Sequence, residues 1–154
     1  MAMHTWFECK IRYEKVMENG MQKKVTEPYL VDALSFTEAE ARIIEEMTPF
    51  ISGEFTVSDI KRANYSELFP SDEESADRWF KCKLIFITLD EKSGAEKKTS
   101  TQVLVQAADL RDAVKKLDEG MKGTMADYQI GMVSETPLMD VYPYSAGPND
   151  KPEV

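Results

Sequence analysis

The segment IKRANY, which runs from Ile60 to Tyr65, concentrates basic and aromatic side chains in an otherwise acidic chain. Lys61 and Arg62 supply positive charge, Asn64 supplies an amide, and Tyr65 supplies a ring and a hydroxyl. Such side chains bind carboxylates, phosphates and nucleic-acid backbones. The segment is therefore a candidate binding site for an anionic ligand, an acidic partner or nucleic acid. Ordinary salt bridges to nearby carboxylates are the competing interpretation.

A second candidate is the apolar stretch that contains Ile85 and Ile87. The alternate positions, Cys82, Leu84 and Phe86, are also apolar, so a strand here has no polar face. Such a strand is either covered on both sides or exposed to a partner. Ile85 and Ile87 are therefore predicted as interface residues, either within the chain or in a homo-oligomer.

The chain has two tryptophans, Trp6 and Trp79, each next to a phenylalanine at the start of an alternating segment. We predict that both contribute to an interface. If the protein binds nucleic acid, their rings are candidate stacking platforms for bases.

Residues for catalysis and metal binding are scarce. The single histidine, His4, lies near the N-terminus, and Cys9 and Cys82 alternate with charged residues as core positions do. No glycine-rich phosphate loop is present, and the carboxylates are spread over a predicted helix and an acidic connection. The sequence predicts no catalytic residue, no metal site and no cofactor, which favours a protein that is not an enzyme.

Composition narrows the classes of partner. A formal net charge of −9 repels phosphate backbones, which disfavours sequence-independent nucleic-acid binding. There is no apolar run long enough for a membrane span and no readable signal peptide. With two cysteines and no leader, we expect a cytoplasmic protein with reduced thiols whose partner is another protein or a second copy of itself.

The chain contains an internal repeat. TWFECKI at Thr5–Ile11 returns as RWFKCKL at Arg78–Leu84, and similarity continues through both halves. The segment that corresponds to IKRANY lacks the two basic residues. We predict a first repeat over residues 5–69, an acidic linker over 70–78, a second repeat over 79–144 and a disordered tail over 145–154.

Each repeat reads as strand, strand, helix, strand. Asn19-Gly20 and Ser93-Gly94 predict tight hairpins, the former a type I′ turn. The pairs Ser35 with Glu38 and Asp109 with Asp112 predict capped helix starts. One apolar face follows in each helix, and the third strands are expected near residues 54–63 and 127–135.

These elements predict an α+β fold with mainly antiparallel sheets. A right-handed crossover places the third strand of each repeat beside the first, giving the order 3-1-2. One such sheet with one helix is too small to enclose a core. We therefore expect the two copies to form one pseudo-two-fold domain.

The stretches WFECKIRYEK, TEPYLVDALSFTEAEARI, IKRANYSELF and GTMADYQI resemble a family of small proteins of Bacteroides-type bacteria and their phages. That family is known as a domain of unknown function. The resemblance covers Trp6 to Tyr144 and implies no activity, cofactor or site residue.

Three functions follow from these features. The first is a non-enzymatic binding or adaptor protein that associates with itself. The second is a nucleic-acid accessory protein that uses Lys61, Arg62 and Tyr65. The third is a small-molecule-binding protein or enzyme with a pocket at the seam between the repeats.

Overall fold

The computed structural model describes residues 5–143, which form two helices and two mainly antiparallel four-stranded sheets. The predicted α+β class is confirmed. The elements in chain order are β1 (Thr5–Val16), β2 (Gln22–Ala33), α1 (Phe36–Met47), β3 (Phe55–Ala63), β4 (Glu67–Phe69), β5 (Arg78–Leu89), β6 (Glu96–Ala107), α2 (Leu110–Gly120), β7 (Asp127–Glu135) and β8 (Asp140–Tyr142).

The chain divides into two compact units. The first comprises the chain up to Ala63 and again from Leu138, and the second comprises Asn64–Pro137. In the first unit the strand order is β3-β1-β2-β8, and in the second it is β4-β6-β5-β7. Residues 145–154, for which we predict disorder, lie outside the described residues.

Each sheet has a fourth strand that the sequence did not predict. β8 follows β7 along the chain but pairs in parallel with β2, and β4 follows β3 but pairs in parallel with β6. As a result, the compact units end at different residues from the predicted repeats. Each of these strands has three residues, too few to show an alternating pattern.

The β1–β2 hairpin closes through a turn that differs from the predicted one. Met17 N–H donates to Met21 O at 2.8 Å, and Gly20 N–H donates to Met17 O at 2.9 Å. Gly20 has a φ of +82°, whereas Asn19 is not in the positive-φ region. A type I′ turn requires positive φ at both residues, so that prediction was wrong. The bonds describe a three-residue loop with a glycine bulge, in which only Gly20 is left-handed.

The β5–β6 hairpin is one residue longer. Asp90 N–H donates to Ala95 O at 2.8 Å, and Gly94 N–H donates to Asp90 O at 2.7 Å. Gly94 has a φ of +72° and again supplies the left-handed residue.

Both helices begin as predicted. The Ser35 hydroxyl accepts from Glu38 N–H at 3.1 Å, and Asp109 Oδ1 accepts from Asp112 N–H at 2.8 Å. In return, Glu38 accepts from Leu34 N–H at 2.9 Å. These bonds satisfy backbone donors that a helix start leaves without partners.

Each helix covers one face of its own sheet. The buried core of the first unit comprises Phe7, Cys9, Ile11, Val31, Ala33, Ala39, Ile43 and Met47. The core of the second comprises Phe80, Cys82, Leu84, Val103, Val105, Ala107, Ala113, Leu117 and Met121. Both cysteines are fully buried free thiols, as predicted. Neither helix in the described part of the chain has the length and apolar character needed to cross a bilayer.

Candidate functional site

A cleft of about 550 Å³ opens in the first unit at the hairpin end of the sheet. This volume lies within the range typical of ligand sites. The cleft is lined by Arg12, Tyr13, Glu14, Val16, Gln22, Lys24, Ser52, Gly53, Glu54, Phe55 and Thr56. We call it the hairpin cleft.

The hairpin cleft exists because β1 is longer than its neighbour β3. The ladder between these strands ends where Tyr13 pairs with Phe55. β1 nevertheless continues to Val16, paired on its other side with β2. Residues 52–54 leave the line of β3 at this point, so one edge of β1 stays uncovered at Val16.

The uncovered edge presents backbone hydrogen-bonding groups. Met17 N–H bonds to Met21, the residue before β2, and backbone groups along a strand point alternately to opposite sides. Lys15 therefore faces β2, whereas Glu14 and Val16 direct their N–H and C=O groups away from it, into the cleft. Within residues 5–143, Val16 has no backbone hydrogen bond on this open side, whereas Glu14 lies beside Glu54, the residue that precedes Phe55. The edge of β1 is therefore open at Val16.

Behind the hairpin cleft, a hydrogen-bonded cluster holds Tyr13 in place. The Tyr13 hydroxyl donates to Glu27 Oε1 at 2.8 Å, and the Tyr29 hydroxyl donates to the same oxygen at 3.4 Å. Lys15 Nζ lies 3.6 Å from the other oxygen of Glu27, whose side chain is only 12% exposed. The carboxylate thus has two hydroxyl donors and one cation, and it fixes the ring that lines the cleft.

The tyrosines of this cluster stay protonated at neutral pH. Burial, the hydrogen bond to Glu27 and the Glu27 charge raise the pKa of Tyr13 to about 12. Burial, with the nearby carboxylates of Asp140 and Glu46, also raises the pKa of Tyr142 to about 12. The pKa of Tyr29 is raised as well, chiefly by burial. General acid–base catalysis is most efficient with a pKa near the working pH, and the raised pKa values of these tyrosines lie well above neutral pH.

The second unit lacks the same cluster. In the registers of the two hairpins, Phe86 holds the position of Tyr13 and Thr101 holds that of Glu27. The positions of Tyr29 and Tyr142 are taken by Val103 and Phe69, which are apolar. The β5 edge is also covered further, because β7 starts opposite Ile87 and leaves only Thr88 and Leu89 beyond it. The larger open edge and the polar cluster therefore occur together in the first unit.

The predicted basic residues Lys61 and Arg62 lie on opposite faces of the first sheet. Lys61 pairs with Glu8, and its Nζ is 3.8 Å from a Glu8 carboxylate oxygen. The Arg62 guanidinium lies 5.9 Å from the ring centre of Phe7 and 5.6 Å from that of Phe36, a cation–π geometry. The sheet thus holds each cation in a local contact and does not direct both toward one ligand.

Asn64 and Tyr65 belong to the second unit. Asn64 is exposed and Tyr65 is half-buried. The predicted four-residue site is therefore divided between the two units.

Of the predicted interface residues, Ile85, Ile87 and Trp6 are half-buried. Trp79 is only 5% exposed, so its ring is not open as a stacking platform. The segment after β7 is attached to the main chain here, because Thr136 donates both its N–H and its hydroxyl to the backbone carbonyl of Trp79, at 2.8 and 2.9 Å.

A second cleft, of about 430 Å³, lies in the second unit beside Lys116. Lys116 Nζ is 3.0 Å from Asp112, 3.2 Å from Glu73 and 3.0 Å from the Ser71 hydroxyl. Burial alone would lower the pKa of Lys116, but the bonds and charges of Asp112 and Glu73 raise it overall. The Lys116 ammonium already has three oxygen partners, and these contacts attach the segment that contains Ser71 and Glu73 to α2.

Metal ligands are not grouped in the described residues. Nowhere in residues 5–143 do three or more histidine, cysteine, aspartate or glutamate side chains come close enough to hold an ion.

The hairpin cleft was not predicted from the sequence. Two features mark the cleft. β1 and β3 differ in length, and the second hairpin has Phe86 and Thr101 where the first has Tyr13 and Glu27.

The chain matches a known protein family. The model of a family described as a domain of unknown function, DUF4494, matches residues 5–144. This span is most of the chain, and the chain belongs to that family. No curated protein matches it.

Proposed function

We propose that this member of the family is a non-enzymatic cytoplasmic binding protein that takes an extended segment of a partner protein in the hairpin cleft. The observation that carries the proposal is the uncovered edge of β1 at Val16, where the β3 ladder has ended. The two thiols, both buried and unbridged, are compatible with a reducing compartment.

Strand addition fits this edge physically. An extended peptide that lies along this edge would bond to the N–H and C=O groups of Val16. One of its side chains would pack against Tyr13 and Phe55, since both line the cleft. The Glu27 cluster holds the Tyr13 ring before binding, which reduces the ordering cost of association.

The proposal includes an origin by tandem duplication. Support comes from the sequence repeat and from the shared order of elements in the two units, strand, strand, helix, strand. Both third strands also bulge at the same step, since the registers skip Ser58 in β3 and Gly131 in β7. After a duplication, one copy can acquire a binding edge while the other copy keeps mainly apolar residues at the corresponding positions.

The test begins with a display selection of random nine-residue peptides against the full chain. Enriched peptides are titrated against the wild type, Val16→Pro and Leu89→Pro. Proline at position 16 removes an N–H that points into the cleft and leaves the β1–β2 bonds intact, because the Val16–Gln22 pair is not hydrogen-bonded. Leu89 occupies the matching position in β5, so its proline variant is the control.

We expect Val16→Pro to weaken binding about tenfold, the effect of losing one main-chain hydrogen bond and its alignment. Leu89→Pro should bind like the wild type. Circular dichroism and thermal melting establish that both variants fold. A selection without enrichment, or peptides that bind Val16→Pro as tightly as the wild type, would refute the proposed function.

A further inference from the structure

We infer that the protein forms a dimer in which two copies pack together through the face of the second sheet that α2 does not cover. The partner on this face is a second copy of the chain, which contributes the same face. This dimer does not depend on the hairpin cleft, which lies in the first unit. Its contacts come from β5 and from the strands on either side of it, β6 and β7.

β5 carries a row of apolar side chains on this face. Ile85, Ile87 and Leu89 alternate with Leu84 and Phe86, which pack into the core beneath α2. Ile85 and Ile87 are half-buried, and Leu89 is 69% exposed. An antiparallel sheet that is covered on one side commonly presents polar residues on the other. The second sheet departs from this pattern at its hairpin end, and we call Ile85, Ile87 and Leu89 the apolar row.

The fold does not require two of the three residues in the apolar row. In the registers of the two hairpins, Arg12 and Glu14 of the first unit hold the positions of Ile85 and Ile87. Both of these charged side chains are exposed, so a sheet of this kind folds with charged residues at these places. Exposed apolar surface that the fold does not need is typical of a contact with another molecule.

A glycine in β7 makes room for Ile85. The bulged residue of β7 is Gly131, and a Cβ there would lie 2.9 Å from Ile85 Cδ1. The end of the Ile85 side chain therefore extends over the backbone of Gly131 instead of standing away from the sheet. In β3 the bulged residue is Ser58, which carries a side chain. Apolar side chains that lie against a sheet suit face-to-face packing, in which two sheets are about 10 Å apart.

The charges beside the apolar row indicate the partner. Across the sheet, Ile87 lies between Lys98 on β6 and Asp127 on β7. Residues directly opposite each other on paired strands share a face, so a positive charge borders the row on one side and a negative charge borders it on the other. Both charged side chains are exposed. A partner that matches this face needs an apolar centre with the opposite order of charges.

A second copy meets this requirement when the two-fold axis runs parallel to β5. The rotation then lays each apolar row on the other and brings Lys98 of each copy opposite Asp127 of the other copy. An axis in the interface plane but perpendicular to the strands would place Lys98 opposite Lys98. With the axis along β5, the face is self-complementary in its apolar row and in its charges, as a two-fold contact between identical chains requires.

We expect the dimer to be weak. The apolar row covers less than the roughly 800 Å² that a standard interface buries on each partner. Two copies that each carry a net charge of −9 also repel each other. A dissociation constant on the order of 10–100 μM is therefore expected. Sedimentation equilibrium of the full chain in about 0.1 M salt measures it, since a Debye length of about 10 Å screens the long-range repulsion more than it screens charges in contact.

Ile87→Glu tests the apolar row. It introduces the residue type that β1 carries at the same position, so the fold accommodates it. We expect dimerisation to weaken about tenfold, because a carboxylate would lose water at the centre of the contact. Thr88→Glu is the control, since it makes the same change in charge at an exposed position on the other face and should stay within about twofold of the wild type. Thermal melting establishes that each variant folds, and Ile85→Arg is the second variant if Ile87→Glu does not.

Lys98→Glu and Asp127→Lys test the direction of the axis. Each substitution places like charges opposite each other at both ends of the contact, so each variant alone should dimerise about fivefold more weakly than the wild type. In an equimolar mixture, one copy of each variant forms a pair with two opposite-charge contacts, and dimerisation should return to the strength of the wild type. Lys97→Glu is the matched control, because Lys97 is exposed on the other face of β6.

The outcomes separate the parts of the inference. A chain that stays monomeric up to its solubility limit would overturn it, and so would a dimer that Ile87→Glu and Ile85→Arg leave unchanged. If the wild type dimerises but the mixture of Lys98→Glu and Asp127→Lys is no stronger than either variant alone, the axis does not run along β5 and the inferred dimer is wrong. The peptide tests of the hairpin cleft are decided independently of these results.

Discussion

The Tyr13 hydroxyl donates a 2.8 Å hydrogen bond to Glu27, and these two residues join β1 to β2 directly behind the hairpin cleft. The same places in the second sheet hold Phe86 and Thr101. The pair therefore marks the point at which two otherwise similar hairpins differ in chemistry. Because it fixes the ring that lines the cleft, it links the stability of the first unit to the shape of the proposed binding site.

Removing the Tyr13 hydroxyl should destabilise the protein. Tyr13→Phe deletes the shortest bond to Glu27, and we expect a loss of about 1 kcal/mol in the free energy of unfolding. Tyr128→Phe is the control, because its hydroxyl makes a longer bond, 3.3 Å, to the exposed Asp118 and should cost less than about 0.5 kcal/mol. Urea unfolding measures both, and equal losses would contradict the role given to Glu27.

The two thiols should resist alkylation in the native protein. Burial is the largest cause that raises the pKa of Cys9 to about 12, and it raises the pKa of Cys82 to about 11. The reactive thiolate is therefore rare at pH 8, and both side chains are fully buried. Iodoacetamide labelling with mass spectrometry should detect modification only after unfolding. Native labelling of either cysteine at the rate of a free thiol would show that its strand opens readily.

Stability should fall in alkaline solution. The folded pKa values of Cys9, Cys82, Tyr13 and Tyr142 lie above their ordinary values of 9.0 and 10.0, so above about pH 9 the unfolded chain loses protons that the folded chain keeps. The stability from their neutral forms is complete below pH 9 and declines as the pH rises toward 12. Thermal melts from pH 7 to 11 should show a midpoint that is level at first and then decreases. A midpoint that rises with pH would contradict these shifts.

Gly120→Ala should destabilise the second unit although alanine favours helices. A Cβ at position 120 would lie 2.9 Å from the ring of Phe69, which packs against the core of the second unit and would have to shift. Overpacking costs about 1–3 kcal/mol, which exceeds the gain of about 1 kcal/mol in helix propensity. Gly53→Ala is the matched control, because nothing lies within 4 Å of its Cβ position. A stabilised Gly120→Ala variant would show that Phe69 yields easily.

The sequence predicted those parts of the fold that depend on long periodic segments. The alternation around Cys9 and Cys82 placed both thiols in the core, and Ser35 and Asp109 marked both helix starts. The turn at Asn19-Gly20 was assigned wrongly, because the same dipeptide suits a type I′ turn and a loop with a glycine bulge.

The remaining features depend on pairings between distant segments. β4 and β8 were missed because three residues carry no period, and their partners β6 and β2 lie far along the chain. The prediction that Lys61 and Arg62 form one binding site was misleading for a related reason. Lys61 and Arg62 are adjacent in sequence, and adjacency in a strand places their side chains on opposite faces.

The most direct test of the binding proposal is hydrogen exchange at the Val16 amide, with and without a selected peptide. Strand addition predicts that exchange at this amide slows on binding, since its N–H group becomes hydrogen-bonded to the peptide. Exchange at Lys15, whose N–H already faces β2, should change much less. If the peptide binds but slows exchange only elsewhere in the chain, the segment does not extend the β1 edge and the proposed function is wrong.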